Sequence, residues 1–193
     1  SVMYKIIKLL ERTGPLTGKE MRDQSGLDEL SLWRICNKSD EIILKTTGKR
    51  FLRLDSRIKR YARLSPSIKR EFLTYTVAGL KKDSVEIKIK AGSIYHEIKK
   101  ISRQKLELAR EVIRKIVTDQ ERPEILSGCT CFIIAGDIVY GMAHAEPRPE
   151  TSINEIVRGS DLDIIVVTEN LPQKIIKDLD RSMYQQKYFL IKS

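Results

Sequence analysis

The sequence has few of the residues that build disulfide frameworks and Cys–His metal sites. It contains three cysteines, Cys36, Cys129 and Cys131, and two histidines, His96 and His144. An odd, low cysteine count fits a reducing compartment, where cysteines serve as small apolar core residues. Because one residue rather than two separates Cys129 from Cys131, the pair lacks the usual spacing of zinc ligands, and no zinc site is expected.

Long apolar runs are also missing. No stretch approaches the roughly 20 apolar residues that a membrane-spanning helix requires, so a transmembrane protein is not expected. The first residues, Ser1 to Lys5, lack the apolar segment of a secretory signal peptide. These features predict a cytoplasmic protein without a membrane partner.

The sequence does contain enough apolar material for a buried core, together with an excess of positive charge. Of its 193 residues, 41% are hydrophobic and 32% are charged, which excludes wholesale disorder and predicts one or two domains. The net charge of +10 divides into +4 over residues 1–57, +9 over residues 58–122 and −3 over residues 123–193. The excess over residues 1–122 predicts a nucleic-acid partner, and a lysine-rich solvated surface is the alternative.

Residues 1–57 have the pattern of three short helices followed by a two-stranded hairpin. Gly14-Pro15 ends the first helix, and Thr17 with Glu20 has the spacing of a capping box at the start of the second. The turn Thr47-Gly48-Lys49 separates the two strand-like stretches. The predicted helices cover 4–13, 17–25 and 28–37, and the predicted strands cover 41–46 and 50–55.

This succession resembles a winged helix-turn-helix domain, in which the third helix enters the major groove of DNA and the hairpin contacts the backbone or minor groove. Arg and Asn suit base edges and Lys suits phosphates. Negative charge flanks the third helix, so a role in protein–protein contact is the open alternative. The resemblance implies nucleic-acid contact by Ser31, Arg34, Asn37 and Lys38 on the helix and by Lys45, Lys49 and Arg50 on the wing.

Residues 58–93 are predicted to form a basic connector. The run 57–63 combines basic side chains with Tyr61, which suits either a nucleic-acid backbone with base stacking or a solvated surface. A helix is expected from Pro66 to about Leu80. The alternation of apolar and charged residues over 85–90 predicts a strand, and the apolar spacing over 94–118 predicts a helix.

Residues 94–193 carry the candidate chemistry. The apolar stretch from Cys129 to Tyr140 predicts a buried strand broken at Gly136-Asp137, and residues 144–158 have the composition of a loop. The sequence GSDLDIIVV from Gly159 to Val167 then places two carboxylates two residues apart at the start of an apolar strand.

Asp161 and Asp163 are therefore expected to project from the same face of this strand. Adjacent carboxylates repel each other unless a cation lies between them, and hard oxygen ligands suit Mg²⁺, which also binds nucleotide phosphates. The alternative is a capping pair that backbone amides satisfy.

The GSDLDIIVV segment, taken with the strand that ends at Gly136, resembles the DNA polymerase β-like nucleotidyltransferases over roughly residues 105–193. The resemblance implies a small mixed sheet and metal-dependent transfer of a nucleotidyl group from a nucleoside triphosphate. It makes Asp161 and Asp163 the catalytic and metal-binding residues, with Mg²⁺ or Mn²⁺ as the ion. The nucleotide-binding residues that it implies are Gly136, Asp137, Gly159 and Ser160. Arg158, in the interval between the two strands, is a further candidate for phosphate contact, with a place on the loop surface as the alternative.

Three features depart from the family pattern. Asp137 stands where the family has a phosphate-binding Ser, and the interval from Gly136 to Asp161 is longer than usual. The family also has a third carboxylate on a later strand, whereas no Asp or Glu lies on or after the predicted third strand, 188–192. Either that carboxylate lies outside these 193 residues or the domain lacks its full metal site.

The sequence thus predicts an α+β protein with a winged helix over 1–57, a basic connector over 58–93 and a small mixed-sheet nucleotidyltransferase-like domain with flanking helices over 94–193. One function is nucleotidyl transfer to a nucleic-acid or other acceptor that the winged helix recruits. The other is a DNA-binding regulator whose degenerate transferase domain binds nucleotide or mediates association. The oligomeric state stays open.

Overall fold

The computed structural model describes residues 1–48, 66–150 and 155–192, with both helices and strands. The α+β class is therefore confirmed at this coarse level. By their contacts the residues divide into two compact units, Ser1–Ile98 and Lys99–Ser193. The finer division at residues 57 and 93 remains a prediction.

The first unit combines helices with a three-stranded antiparallel sheet of order β1-β3-β2. Thr76–Leu80 is the central strand, and its residues are buried throughout because both of its faces are covered. Ala78 and Leu80 belong to one core cluster, and Val77 packs with Ile87 and Ala91 in another. The elements in chain order are α1 (Val2–Thr13), β1 (Leu16–Thr17), α2 (Gly18–Ser25), α3 (Glu29–Lys38), β2 (Ile42–Thr46), α4 (Pro66–Tyr75), β3 (Thr76–Leu80) and the start of α5 (Ser84–Thr118).

Local signals set the helix boundaries here. The Thr17 hydroxyl accepts from the Glu20 amide, and the Glu20 carboxylate accepts from the Thr17 amide, which confirms the capping box at α2. Asp28 caps α3 by accepting from the Ser31 amide. Gly26 ends α2 at φ 69°, a left-handed conformation that glycine adopts without strain.

The core of the first unit lies between these helices and one face of the sheet. Cys36 is buried there, as predicted, and burial raises the pKa of its thiol to about 12. The other buried residues of this core are Ile6, Leu9, Leu10, Leu16, Met21, Leu32, Ile42, Phe72, Ala78 and Leu80.

Two predicted elements of the first unit are wrong. The strand over 85–90 is the first turns of α5, because Ile87, Ala91 and Ile98 are buried at helical rather than alternating spacing. The helix expected to reach Leu80 ends at Tyr75, where β-branched residues begin β3. The antiparallel partner of β2 is therefore β3, and the predicted strand over 50–55 lies outside the described residues.

The second unit packs helices on one face of a two-stranded sheet. β4 and β7 pair antiparallel, from Thr130 opposite Thr168 to Ala135 opposite Asp163. A separate two-stranded hairpin is formed by β5 and β6. The elements that follow α5 are α6 (Pro123–Cys129), β4 (Thr130–Ala135), β5 (Pro147–Glu150), β6 (Glu155–Arg158), β7 (Asp163–Thr168) and α7 (Gln173–Lys192).

Only one face of this sheet packs against the core, which corrects the prediction of a buried strand at Cys129–Tyr140. Phe132, Ile164 and Val166 pack against a core that includes Leu126 and Leu179. The other face leaves apolar side chains in solvent: Cys131, Ile133, Ile165 and Val167 are exposed. Cys131 is therefore not the core residue that was expected.

The end of the chain also differs from its prediction. The expected third strand over 188–192 belongs to α7, because Leu179, Met183 and Leu190 meet one core at helical spacing. The predicted loop over 144–158 contains the β5–β6 hairpin instead. Within the described ranges, none of the helices combines the length and apolar composition that a bilayer crossing requires.

The capping box of α2 generates a pH prediction. Glu20 also accepts a hydrogen bond from Lys90 at 2.6 Å. Partial burial raises the pKa of Glu20, but the bonds from Lys90 and from the Thr17 amide outweigh burial and hold this pKa below its ordinary 4.5. A lowered folded-state pKa means that the stabilisation is complete above about pH 5 and is lost as the pH falls through the folded pKa.

Glu20→Gln should therefore destabilise the protein at neutral pH, by at most about 1 kcal/mol because the carboxylate is half exposed. The difference from wild type should shrink as the pH falls below about 5. Urea unfolding from pH 7 to pH 3 measures it, with Glu97→Gln, an exposed change on α5, as the control. A difference that is constant with pH would contradict the assigned role of the Glu20 carboxylate.

Candidate functional site

Asp163 lies against the backbone at the end of the neighbouring strand. It is the first residue of β7 and is opposite Ala135, the last residue of β4. Gly136 follows at φ 75°, and a Cβ at this position would collide with Oδ2 of Asp163. Only glycine therefore combines this backbone conformation with this close approach of the carboxylate.

Ser160 links the segment before β7 to the segment after β4. It is 5% exposed, and its hydroxyl accepts from the His144 amide at 3.0 Å and donates to Asp137 Oδ2 at 3.3 Å. Its own amide donates to the His144 carbonyl at 3.0 Å. Asp137, which stands at the phosphate-binding position implied by the resemblance, thus accepts a hydrogen bond from a serine within the protein.

A lysine on α5 holds the same turn from the other side. Lys105 Nζ donates to the Ser160 carbonyl at 2.7 Å. Gly159, at φ 82°, donates its amide to Glu146, and a Cβ on it would lie 2.6 Å from the His144 carbonyl and 3.0 Å from Lys105 Nζ. The turn that leads into Asp161 is therefore closely packed on both sides.

Sequence reasoning missed this supporting set. His144 is buried, and its Nδ1 accepts from the Glu146 amide. Ser102 on α5 is also buried and accepts from the Ala143 amide at 3.0 Å. Ser102 and Lys105 are polar residues that interrupt the apolar spacing of α5. This interruption could have marked them as unusual, but it does not show which backbone groups they contact.

An open groove of about 1440 Å³ runs along the second unit beside this turn. Asp161 and Asp163 both line it and are both exposed. Arg158 and Ser160, two predicted nucleotide-binding residues, line it as well. The groove therefore brings together most of the residues that the GSDLDIIVV motif indicated, whereas Gly136 and Asp137 adjoin them through their contacts with Asp163 and Ser160.

The predicted placement of the two carboxylates needs one correction. β7 begins at Asp163, so Asp161 lies in the turn before the strand and not on it. The i, i+2 rule for strands consequently does not fix their relative orientation. Both residues line the groove, Asp161 from the turn and Asp163 from the first position of the strand.

The donor set fits a magnesium ion bound with its substrate. In the described part of the chain, no group of three or more His, Cys, Asp and Glu side chains is arranged to hold a metal. Mg²⁺ is commonly held by one or two carboxylates with substrate phosphates and water completing its octahedron. Two exposed carboxylates on one groove, Asp161 and Asp163, are a donor set of that kind.

The candidate nucleic-acid residues of the first unit lie apart from this groove in sequence. Arg34, Asn37 and Lys38 are exposed on one face of α3, and Asn37 Nδ2 donates to the Trp33 carbonyl at 2.8 Å. The Ser31 hydroxyl donates to Asp28 at 2.6 Å and so belongs to the helix cap. Lys45 is exposed on β2, while Lys49 and Arg50 lie outside the described residues.

Comparison of the chain with protein-family models, with curated proteins and with solved structures finds no match.

The close contact at Gly136 predicts that adding one methyl group there lowers the stability of the protein more than adding one at another glycine. Gly136→Ala should destabilise the protein by about 1–3 kcal/mol, because it forces a left-handed alanine and displaces the Asp163 carboxylate. Gly128 in α6 meets nothing within 4 Å, so Gly128→Ala should be neutral or slightly stabilising. Urea unfolding followed by circular dichroism compares the two, and equal effects would refute the close contact.

Proposed function

We propose that the unit Lys99–Ser193 is a nucleotidyltransferase-type domain that binds a nucleoside triphosphate together with Mg²⁺ or Mn²⁺. The observation that carries the proposal is the carboxylate of Asp163 seated against the Gly136 backbone, with Asp161 on the same groove. The resemblance of the GSDLDIIVV segment to the nucleotidyltransferase family comes from sequence alone, and this arrangement of the carboxylates supports it.

Asp161 and Asp163 are the residues that would hold the ion. The ion would supply neutralisation of phosphate charge and polarisation of the phosphoryl group that is transferred. Arg158 and Lys105, which line the same groove, would attract the phosphates. Asp137 takes no part as a ligand in this proposal, because its carboxylate accepts from Ser160.

Calorimetric titration of Mg²⁺-ATP and Mg²⁺-GTP into the whole chain tests the site. We expect wild type to bind at least one of them, and binding to weaken at least tenfold, about 1.4 kcal/mol, in Asp161→Asn/Asp163→Asn. The neutral amides keep the shape of the side chains but remove the charge that attracts the cation.

Asp119→Asn is the matched control, because Asp119 is an exposed carboxylate of the same unit that pairs with Lys115. This control should bind nucleotide as wild type does. A well-folded wild type that binds neither nucleotide would refute the proposal, and so would equal losses in the control and the double variant.

A second function, duplex DNA binding by the first unit, is favoured by the exposed face of α3. Arg34, Asn37 and Lys38 lie at i, i+3 and i+4 spacing with exposed side chains. The sheet order β1-β3-β2, with α1 before β1 and α2 and α3 after it, supports the winged helix-turn-helix resemblance. It departs from the predicted hairpin in that α4 lies between β2 and β3. In this hypothesis the protein is a regulator, and its transferase-like unit binds nucleotide or mediates association.

Duplex DNA binding at about 50 mM salt tests the second function, by fluorescence anisotropy over a salt series. Arg34→Ala should weaken binding, and Lys38→Ala should make the dependence of log K on log salt shallower by about 0.9, the contribution of one phosphate contact. Arg12→Ala, an exposed change on α1, is the control. The absence of any duplex binding at that salt concentration would eliminate this function.

A further inference from the structure

One face of α7 lines the groove of the second unit with cations and an aromatic ring. Lys177, Arg181, Tyr184 and Lys187 all border the groove. At 3.6 residues per turn, their spacings of four, three and three place them on one side of the helix. The row extends over about 15 Å, since each helical residue adds about 1.5 Å.

The ring of Tyr184 is exposed to solvent within this row. It is 70% exposed, although a tyrosine ring carries a large apolar surface. Arg181 and Lys187 lie one turn to either side of it. An exposed ring between cations is suited to stacking of a nucleic-acid base while the flanking charges bind phosphates.

The charge of the groove is divided between its two sides. Among the charged residues that line it, five are basic and three are acidic: Lys105, Arg158, Lys177, Arg181 and Lys187 against Asp161, Asp163 and Asp180. Arg181 also pairs with Asp178 at 3.6 Å, but exposed pairs of this kind contribute little, so a polyanion can displace Asp178. Of the charged α7 residues that line the groove, three are basic and one, Asp180, is acidic, so the α7 side favours an anion.

The groove is larger than a single nucleotide requires. Small-molecule sites usually measure about 300–1,000 Å³, and this groove measures about 1440 Å³. A nucleotide bound at Asp161 and Asp163 consequently leaves room along α7 for a second ligand. Cations that are spread along a helix face suit a ligand with several spaced phosphates better than they suit a ligand with one compact anionic group.

We propose that this face of α7 binds single-stranded nucleic acid, with Tyr184 stacking on a base and Lys177, Arg181 and Lys187 contacting phosphates. This inference rests on the proposed function and names its acceptor as the terminal hydroxyl of that strand. In the transfer, the hydroxyl oxygen bonds to the α-phosphorus of the triphosphate and its proton is released to water. The bond from that phosphorus to the β-phosphate oxygen breaks, and pyrophosphate leaves with the electron pair.

The test is anisotropy of fluorescein-labelled RNA and DNA strands of one mixed sequence, roughly 12 nucleotides long, with the matching DNA duplex as a further probe. Lys177→Ala/Arg181→Ala should weaken single-strand binding at least tenfold and make its salt slope shallower by about 1.4, from two lost phosphate contacts. Tyr184→Ala should weaken it about fivefold or more, while Tyr184→Phe should retain binding because the ring remains.

Lys174→Ala is the matched control, because Lys174 is an exposed lysine of α7 that pairs with Glu121 and does not line the groove. It should bind strands as wild type does. Failure of wild type to bind either strand, or a double variant that binds strands normally, would overturn the proposal. Equal loss of duplex and single-strand binding in the double variant would also overturn it, because a non-selective basic surface would explain that result.

Mg²⁺-ATP titration into the same double variant separates this proposal from the preceding one. We expect nucleotide affinity to change less than twofold. A loss of nucleotide affinity equal to the loss of strand affinity would assign these cations to the triphosphate and refute the strand site. If the strand binds at α7 but wild type binds no nucleotide, the acceptor role fails and the proposed function fails with it.

Discussion

The register of β4 against β7 is the constraint on which the geometry of the second unit depends. This register places Asp163 opposite Ala135 and therefore beside Gly136, while Phe132 and Val166 face the core from the same pair of strands. A shift of one residue would turn each side chain of β7 to the other face. Both faces of the pair carry apolar residues, since Ile133, Ile165 and Val167 lie on the exposed face, so apolar burial alone does not select this register. The observed pairing nevertheless fixes the position of the exposed Asp163 carboxylate beside Gly136.

The Ser160 network adds a second constraint that does not depend on apolar packing. Asp137 follows β4, His144 precedes the β5–β6 hairpin and Lys105 belongs to α5, yet all three bond to Ser160. Because the Ser160 side chain is buried, loss of one partner would leave a desolvated polar group. This network holds the turn before Asp161, which takes part in none of the strand pairs of the described residues.

Sequence reasoning succeeded where the cause is local and failed where the cause is tertiary. Thr17 and Glu20 are near neighbours along the chain, so their spacing alone identified the start of α2. The alternation over 85–90 predicted a strand, but the segment is helical because burial of Ile87 and Ala91 in the core requires helical spacing. The GSDLDIIVV motif identified Asp161 and Asp163, but no local pattern connects Lys105 on α5 with Ser160, 55 residues later.

The seating of Asp163 against Gly136 also links ligand binding to folding. The two residues are brought together only when β4 and β7 have paired, so the unfolded chain lacks this juxtaposition. A ligand that requires both binds the native state alone and stabilises it by RT ln(1 + [L]/Kd), about 2.7 kcal/mol at a hundredfold excess over Kd. The fraction of the second unit that is folded would then rise with the concentration of such a ligand. The lifetime of the protein in the cell would consequently be longer when that ligand is abundant.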